Sequence, residues 1–290
     1  MSELTGKRAL VTGASSGIGA AIAHELAAHG VNLVLTARRR DALEAVAAVC
    51  TAKGVRADVI TADLGLPGAA SALWATARAT GPIDILINNA GFGYFRAFSG
   101  ADWKRDAELI QLNITSLVEL SRRFIDDRTR DRTGDRTADR TGSPPSGAPE
   151  RAYLVNIASI GAYQSVPNMA LYASSKAFVR NFTEALHDEL RGSPISATCV
   201  CPGGTKTAFH EAAAAGDYSW IANASMMSAQ AVARTTLRAM RKGQRNILPG
   251  LPTKLAAWSV RLVTRRIASW FACRILGKPR TTALPARSAA

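Results

Sequence analysis

Residues 8–19 read RALVTGASSGIG. Ala9, Leu10 and Val11 form the apolar end of a short strand, and Ile18–His29 has the length and spacing of a helix that Gly30 closes. Between them lies TGASSGIG, Thr12 to Gly19. A glycine at 13 permits a tight turn, one at 17 lets a ligand approach the backbone, and one at 19 allows helix and strand to pack closely. The helix N-terminus then presents free N–H groups and the positive end of its dipole. A glycine turn also forms for steric reasons alone. Its place after a strand and before a helix favours a dinucleotide cradle, built from Thr12, Gly13, Ser15, Ser16, Gly17, Ile18 and Gly19. The glycine spacing differs from the common G-x-G-x-x-G form.

Outward from this turn, the chain repeats the same strand–helix alternation. Strands are expected at Asn32–Leu35, Val55–Thr61, Ile83–Ile87, Tyr153–Ile157, Ile195–Val200 and, shorter, Arg245–Leu248. Helices are expected at Asp41–Lys53, after Pro67, at Trp103–Ile125 and at Leu171–Leu190. Mostly continuous apolar strands belong to a parallel sheet covered on both faces. The expected fold is α/β, a doubly wound parallel sheet of Rossmann type in a three-layer α/β/α sandwich over residues 1–250. A helical extension follows over 251–290.

One segment breaks the alternation. Residues 127–142 read DRTRDRTGDRTADRTG and run into SPPSGAPE. In a helix the aspartates would stack as like charges at i, i+4, as would the arginines, and there is almost no apolar residue to bury. A disordered insertion over about 126–150 is therefore expected. It joins a helix to the next strand, so it emerges at the edge of the sheet opposite the ligand-binding edge.

Composition narrows the function classes. The chain has 290 residues, 47% of them hydrophobic, enough to build one large α/β core. Its net charge is +14, but the excess is local: residues 218–290 hold 13 basic residues and no acid, and residues 1–217 carry a net +1. A chain-wide nucleic-acid footprint is not present, and no nucleic-acid partner is expected. No stretch of eighteen apolar residues lacks a charge, and Glu3, Lys7 and Arg8 stand where a secretory signal needs an apolar run. A cytoplasmic location is expected, with peripheral contact to the inner membrane face as a further option. Cys50, Cys199, Cys201 and Cys273 form no C-x-x-C pair and read as reduced thiols, and no metal site is expected.

The end of the second strand selects the dinucleotide. An acid there would bond the ribose hydroxyls of NAD; the sequence instead reads LTARRR, with Thr36 in the acid's place and Arg38, Arg39 and Arg40 behind it. A cation suits a 2′-phosphate, so NADP(H) is expected with NAD(H) second, and Arg38 is the expected reader. A solvated charge cluster opening a helix is the alternative reading. Asp63 and Leu64, closing the third strand, are placed near the adenine, although a plain loop aspartate fits equally.

Ser159 follows the fifth strand, and Tyr172 opens YASSK with Lys176 at i+4, on the same helix face one turn away. A phenol with a pKa of about 10 is a poor base near neutrality. A neighbouring ammonium stabilises the phenolate and makes Tyr172 able to exchange a proton with a carbonyl or hydroxyl. Ser159 can hold and polarise the same oxygen.

Taken together, TGASSGIG at 12–19, NNAG at 88–91, Asn113, Ser159, YASSK at 172–176 and PGGTKT at 202–207 resemble the short-chain dehydrogenase/reductase family, in its order and over about residues 5–250. The type resembled is the bacterial NADP-preferring reductase, similar to ketoacyl and hydroxysteroid reductases. The resemblance implies Tyr172 as general acid/base, Lys176 as ribose ligand and phenol activator, and Ser159 as substrate-orienting. It implies that Asn113 kinks its helix and holds a water in the proton relay. Asn88, Asn89, Ala90 and Gly91 would stabilise the central sheet and pass the adenosine ribose. Pro202, Gly203 and Thr207 would contact the nicotinamide carboxamide. It implies an oxidoreductase interconverting a carbonyl and a secondary alcohol, in a homodimer or homotetramer. A non-catalytic dinucleotide sensor is the competing reading, and such a protein has no need of Ser159, Tyr172 and Lys176 together.

Phe92, Tyr94, Phe95 and Phe98, with Tyr218, Trp220, Ile221, Met226 and Met227 in the loop after Pro202, suit a sizeable apolar substrate or, equally, ordinary loop packing. Leu251–Leu276 reads as one basic amphipathic helix, with Lys254, Arg261 and Arg265 on one face. It fits its own domain, a partner subunit or a membrane surface.

Overall fold

Alternate residues of the central strands face opposite helical layers. In the computed structural model, which describes residues 3–99, 102–133, 151–206 and 226–276, β1 (Arg8–Thr12) sends Ala9 and Val11 to one side and Leu10 to the other. Its neighbours β2 (Asn32–Ala37) and β4 (Ile85–Asn88) alternate in the same way. On one face Ile22 and Leu26 of α1 (Gly17–Ala28), Leu43 of α2 (Arg40–Thr51), and Leu237 and Met240 of α7 (Ala229–Arg241) close the core. On the other, Trp74 of α3 (Ala69–Ala79) meets Phe124 of α5 (Ser116–Thr133) edge-on at 6.3 Å.

With β3 (Ala57–Thr61), β5 (Ala152–Ile157), β6 (Ile195–Val200) and β9 (Asn246–Ile247), these strands form one parallel sheet of order β3-β2-β1-β4-β5-β6-β9. The expected doubly wound sandwich is present. Strand order reverses between β1 and β4, which opens a crevice at their C-terminal ends. β7 (Thr205–Lys206) and β8 (Met227–Ser228) pair in parallel and pin together the two ends of the loop expected over the substrate. The loop's interior, including Thr207, Tyr218, Trp220 and Ile221, lies outside the described residues.

Three expectations need correction. The helix expected at Trp103–Ile125 comes in three pieces: α4 (Trp103–Ile110), a π turn at Gln111–Thr115, and α5, which continues to Thr133. Residues 126–133, expected in a disordered insertion, are thus helical. Tertiary partners override the unfavourable local pattern: Asp127 Oδ2 accepts from Trp74 Nε1 and Arg78 Nε, each at 2.9 Å, and Arg128 pairs with Asp84 at 3.1 Å. The residues after Thr133, up to 150, lie outside the described residues. Finally, the single C-terminal helix is two, α8 (Leu251–Ser259) and α9 (Arg265–Leu276), parted at residues 260–264.

Candidate active site

Two turns meet in the crevice between β1 and β4. Thr12 Oγ1, at the end of β1, accepts the backbone N–H groups of Asn89 (3.0 Å) and Ala90 (2.9 Å). Asn89 Nδ2 returns bonds to the carbonyls of Thr12 (2.9 Å) and Gly13 (3.2 Å). Gly13 has φ +65°, and a Cβ there would come within 2.8 Å of Asn89 Nδ2; a Cβ on Gly19 would strike the Gly13 carbonyl. Gly17 also has positive φ, at +60°. Helix α1 starts here with no side-chain cap from Ser16 and no acid in its first turn, so its N-terminus offers N–H groups and positive potential to an anion. Ile18 packs partly buried against the core beneath the turn. These features fit the diphosphate of a dinucleotide: Gly13 and Gly19 allow the turn to close on Asn89, and the uncapped helix N-terminus faces the anion.

The arginine cluster after β2 divides its roles. Arg40 is spent on the surface pair with Glu44 at 2.7 Å. Arg39 Nη2 leans over the glycine turn toward the hydroxyls of Ser15 and Ser16, each at 3.4 Å. Arg38 is exposed at the end of β2. Sequence reasoning chose Arg38 and passed over Arg39, because adjacency along a chain does not say which side chain folds back. Thr36 is fully buried, and its Oγ1 has no hydrogen-bond partner among the described residues. Asp63 Oδ1 accepts from Gly65 N–H at 3.0 Å, a loop-shaping role. Leu64 packs into the core and offers the site only its backbone, with its carbonyl taken by Ser116 Oγ at 2.7 Å.

Lys176 sits at the centre of the second half of the site. It lies on α6 (Ala170–Glu189), is 5% exposed, and donates from Nζ to the Ile157 carbonyl at 2.9 Å. Its nitrogen is 5.9 Å from the centroid of the Tyr172 ring, as the i+4 spacing requires. Burial pulls this ammonium down from near 10.5 to about 8, and the nearby Cys199 and Cys201 thiols act in the opposite direction. Those thiols are fully buried, with sulfurs 3.7 Å apart, and Cys50 is buried and free as well.

The Tyr172 ring packs on Gly93, where a Cβ would approach its Cδ2 to 2.5 Å. A Cβ on Gly161 would lie 3.6 Å from Ser159 Oγ and 4.0 Å from Tyr172 Cε1, so serine and tyrosine flank one spot. Ser159 caps the 3₁₀ turn Ile160–Tyr163, accepting Gly161 N–H at 3.1 Å. As an acceptor in that bond, it keeps its own proton to donate.

Asn113 lies on the π turn and is fully buried, and its amide is occupied. Oδ1 accepts Phe92 N–H at 3.1 Å, and Nδ2 donates to the Phe92 carbonyl and to Ser175 Oγ, each at 3.0 Å. Ser175 Oγ in turn donates to the Tyr172 carbonyl at 2.7 Å. Asn113 therefore braces the loop after NNAG against the first turn of α6, with both of its amide hydrogens in use. Gly91 fills the gap between Asn113 and Lys176; a Cβ there would lie 3.0 Å from Oδ1 and 3.3 Å from Nζ. A deeper ladder, Ser121–Asn88–Asn156–Thr183, fixes β4 and β5 to α5 and α6 at 2.9–3.0 Å per bond. Neither Ser175 nor Asn156 and Thr183 was singled out from sequence; the second serine of YASSK was the only local signal.

Pro202 accepts Ile160 N–H through its carbonyl at 2.8 Å, and Gly203 abuts Thr253 of α8. Thr207 lies outside the described residues. Of the four aromatic residues singled out just after NNAG, Tyr94 and Phe95 are buried core, Phe92 is half-buried, and Phe98 is exposed. The wall is thus narrower than the sequence proposed.

A profile described as short chain dehydrogenase matches residues 7–135 and 144–217, so the family pattern breaks only over 136–143 within the repeat. Nodulation protein G of a Rhizobium species is 34% identical over 207 residues, covering 70% of this chain and 75% of that protein. The ketoacyl reductase HetN of a Nostoc species is 31% identical, covering 70% of this chain and 65% of its own. A short-chain dehydrogenase from Sphingobium yanoikuyae, solved in complex with NADPH, superposes with a TM-score of 0.73 at 28% identity, covering 88% of this chain and 93% of that one.

Proposed function

The chain belongs to the short chain dehydrogenase family, an oxidoreductase family, and from that premise we propose that it is an NADP(H)-dependent enzyme interconverting a carbonyl and a secondary alcohol. We propose further that it reduces a sizeable apolar ketone or acyl substrate. One observation carries the reading: Lys176 is an ammonium buried, among the described residues, without a carboxylate, 5.9 Å from the Tyr172 ring, and Ser159 and Tyr172 flank one spot. Such a cation is costly to bury, and its use is to stabilise the phenolate that forms when Tyr172 gives up a proton.

The nicotinamide, when bound, supplies or accepts the hydride. Tyr172 hands its proton to the substrate oxygen in reduction and takes it back in oxidation. Ser159 donates its hydroxyl hydrogen to the same oxygen and fixes its position. Lys176 keeps the phenolate charge compensated, held at the Ile157 carbonyl. Asn113 and Ser175 hold the tyrosine's turn against the loop at Phe92. Arg38 and Arg39 provide the cationic seat for a 2′-phosphate, which supports NADP(H) over NAD(H), as does the NADPH bound in the Sphingobium relative. The similarity to a ketoacyl reductase supports the acyl part of the substrate reading.

A panel of ketones, aldehydes and acyl thioesters with NADPH, followed at the nicotinamide absorbance band, tests this function. Turnover of a hydrophobic carbonyl that vanishes in Tyr172→Phe is the expected result. Binding of NADPH with no turnover across the panel by the wild-type protein would favour a dinucleotide sensor instead.

A further inference from the structure

The two C-terminal helices are built inside out. Their small residues, Thr253 and Ala257 on α8 and Ala268 and Ala272 on α9, face inward and are buried. Their large apolar residues face solvent: Leu251, Leu255 and Trp258 at i, i+4 and i+7 on α8, Ile267, Trp270 and Phe271 at i, i+3 and i+4 on α9, with Leu262 exposed in the break between them. Trp258 is 58% exposed, and Trp270 and Phe271 are 52% exposed each. A helix packed for water does the reverse, so this face is built for an apolar covering.

Charge says what the covering is. Lys254, Arg261, Arg266 and Arg274 are exposed around the patch, and among the described residues none of them pairs with a carboxylate. Arg274 lies over the Trp270 ring at 4.7 Å, with its charged end at the rim of the apolar surface. The sequence from Tyr218 to Ala290 contains no acidic residue at all. A second copy meeting this face with its own would bring like charges together. A negatively charged lipid surface offers both an apolar layer and counter-charge, and tryptophans belong at such an interface. Among the described residues no helix is long and apolar enough to cross a membrane, so the contact is lateral.

We propose that the outer face of α8, α9 and the break between them docks on the surface of an anionic lipid bilayer, with Leu251, Leu255, Trp258, Leu262, Trp270 and Phe271 entering the headgroup region and Lys254, Arg261, Arg266 and Arg274 meeting lipid phosphates. The inference stands independently of the proposed reaction. It has a spatial consequence, because Thr253 abuts Gly203 and Met227 abuts Gly250: the bilayer lies beside the base of the loop that follows Pro202.

Flotation of the full-length protein with vesicles of phosphatidylcholine, alone or mixed with phosphatidylglycerol, tests it without reference to catalysis. The expected result is binding at least about tenfold tighter to the anionic vesicles. That binding is lost in Trp258→Ser/Trp270→Ser/Phe271→Ser and, separately, in Lys254→Glu/Arg261→Glu. All five side chains are solvent-facing, so both variants are expected to keep the wild-type circular dichroism and melting temperature. Failure to float with anionic vesicles overturns the proposal. So does equal binding to both vesicle types, or binding unchanged in either variant. A dimer in sedimentation velocity that the serine variant dissolves, with no vesicle binding, assigns the face to a second copy and likewise overturns it.

Discussion

Two cations are buried at opposite ends of the same sheet, and their surroundings differ. Arg8, at the N-terminal edge of β1, is surrounded by acceptors: the carbonyls of Ala77 (2.8 Å) and Gly81 (3.0 Å), the Thr80 hydroxyl, and the Asp58 carboxylate at 3.3 Å. Asp84 beside it is paired with Arg128. Lys176, at the C-terminal edge, has one carbonyl and two thiols around it and, among the described residues, no carboxylate. The first arrangement ties α3, β1, β3 and α5 together. The second leaves an ammonium undercompensated, which is a loss for stability and an asset for a neighbouring phenol. A buried charge paired with a carboxylate and several acceptors, as Arg8 is even with its Nε left unbonded among the described residues, is structural; one with a single carbonyl marks the place where chemistry is expected.

The sharpest way to break this contrast is at Tyr172. Tyr172→Phe is expected to lower kcat by about 10³-fold, within the range of general acid–base catalysis, while NADPH binding followed by fluorescence stays within a factor of about three. Equal loss of binding and turnover would make Tyr172 a packing residue. Next in size is the dinucleotide seat. Removing a charge-assisted bond to a phosphate costs about 1.5–3 kcal/mol, so Arg38→Ala and Arg39→Ala should each weaken NADPH binding about tenfold or more and leave NADH binding nearly unchanged. If only Arg39→Ala does so, the side chain that leans over the turn is the reader and Arg38 is surface.

At the other edge, Arg8→Met leaves the Ala77 and Gly81 carbonyls without their donor. It is expected to destabilise the fold by about 2 kcal/mol in thermal or urea unfolding, with kcat of the folded fraction preserved. Asp127→Ala should cost about 1 kcal/mol, since it strands Trp74 Nε1 and Arg78, whereas deleting 136–143 should change neither stability nor kcat measurably. A large loss on that deletion would place the repeat in the working parts of the enzyme.

The smallest expected effect is on pH dependence. The folded value for Lys176, about 8, lies below its ordinary 10.5. Between these values the native state binds fewer protons than the unfolded one, so this group's contribution to stability rises with pH across that window, and the cost of burying the ammonium is fully present below about 8. Carbonyl reduction is expected to follow the opposite course, falling as pH climbs through about 8 and the ammonium is lost.

The contrast also explains how far the sequence could be read. Strands of the sheet and the glycine turn are local signals, and Tyr172 and Lys176 are linked by helical spacing alone, so both were legible. The N-terminal edge was not, because nothing within residues 126–133 reveals that Trp74 and Arg78 wait 49 or more positions upstream to hold Asp127. Asn113 was singled out on its helix, yet its engagement with Phe92 and Ser175 depends on the π turn, which no propensity announces. Tyr94 and Phe95 look like site aromatics in sequence and are core in space, since a four-residue cluster does not say which members face inward. The break between α8 and α9 at residues 260–264 carries neither proline nor glycine, so periodicity ran straight through it.

The most direct test of the central claim is Lys176→Met, with melting temperature and turnover measured on the same sample. Methionine keeps the apolar stem and removes the uncompensated charge. A melting temperature at or above that of the wild-type protein together with a fall in kcat of about 100-fold or more is the predicted pair of results. A melting temperature lowered as far as in Arg8→Met, with turnover per folded molecule intact, would contradict it and make both lysine and arginine structural.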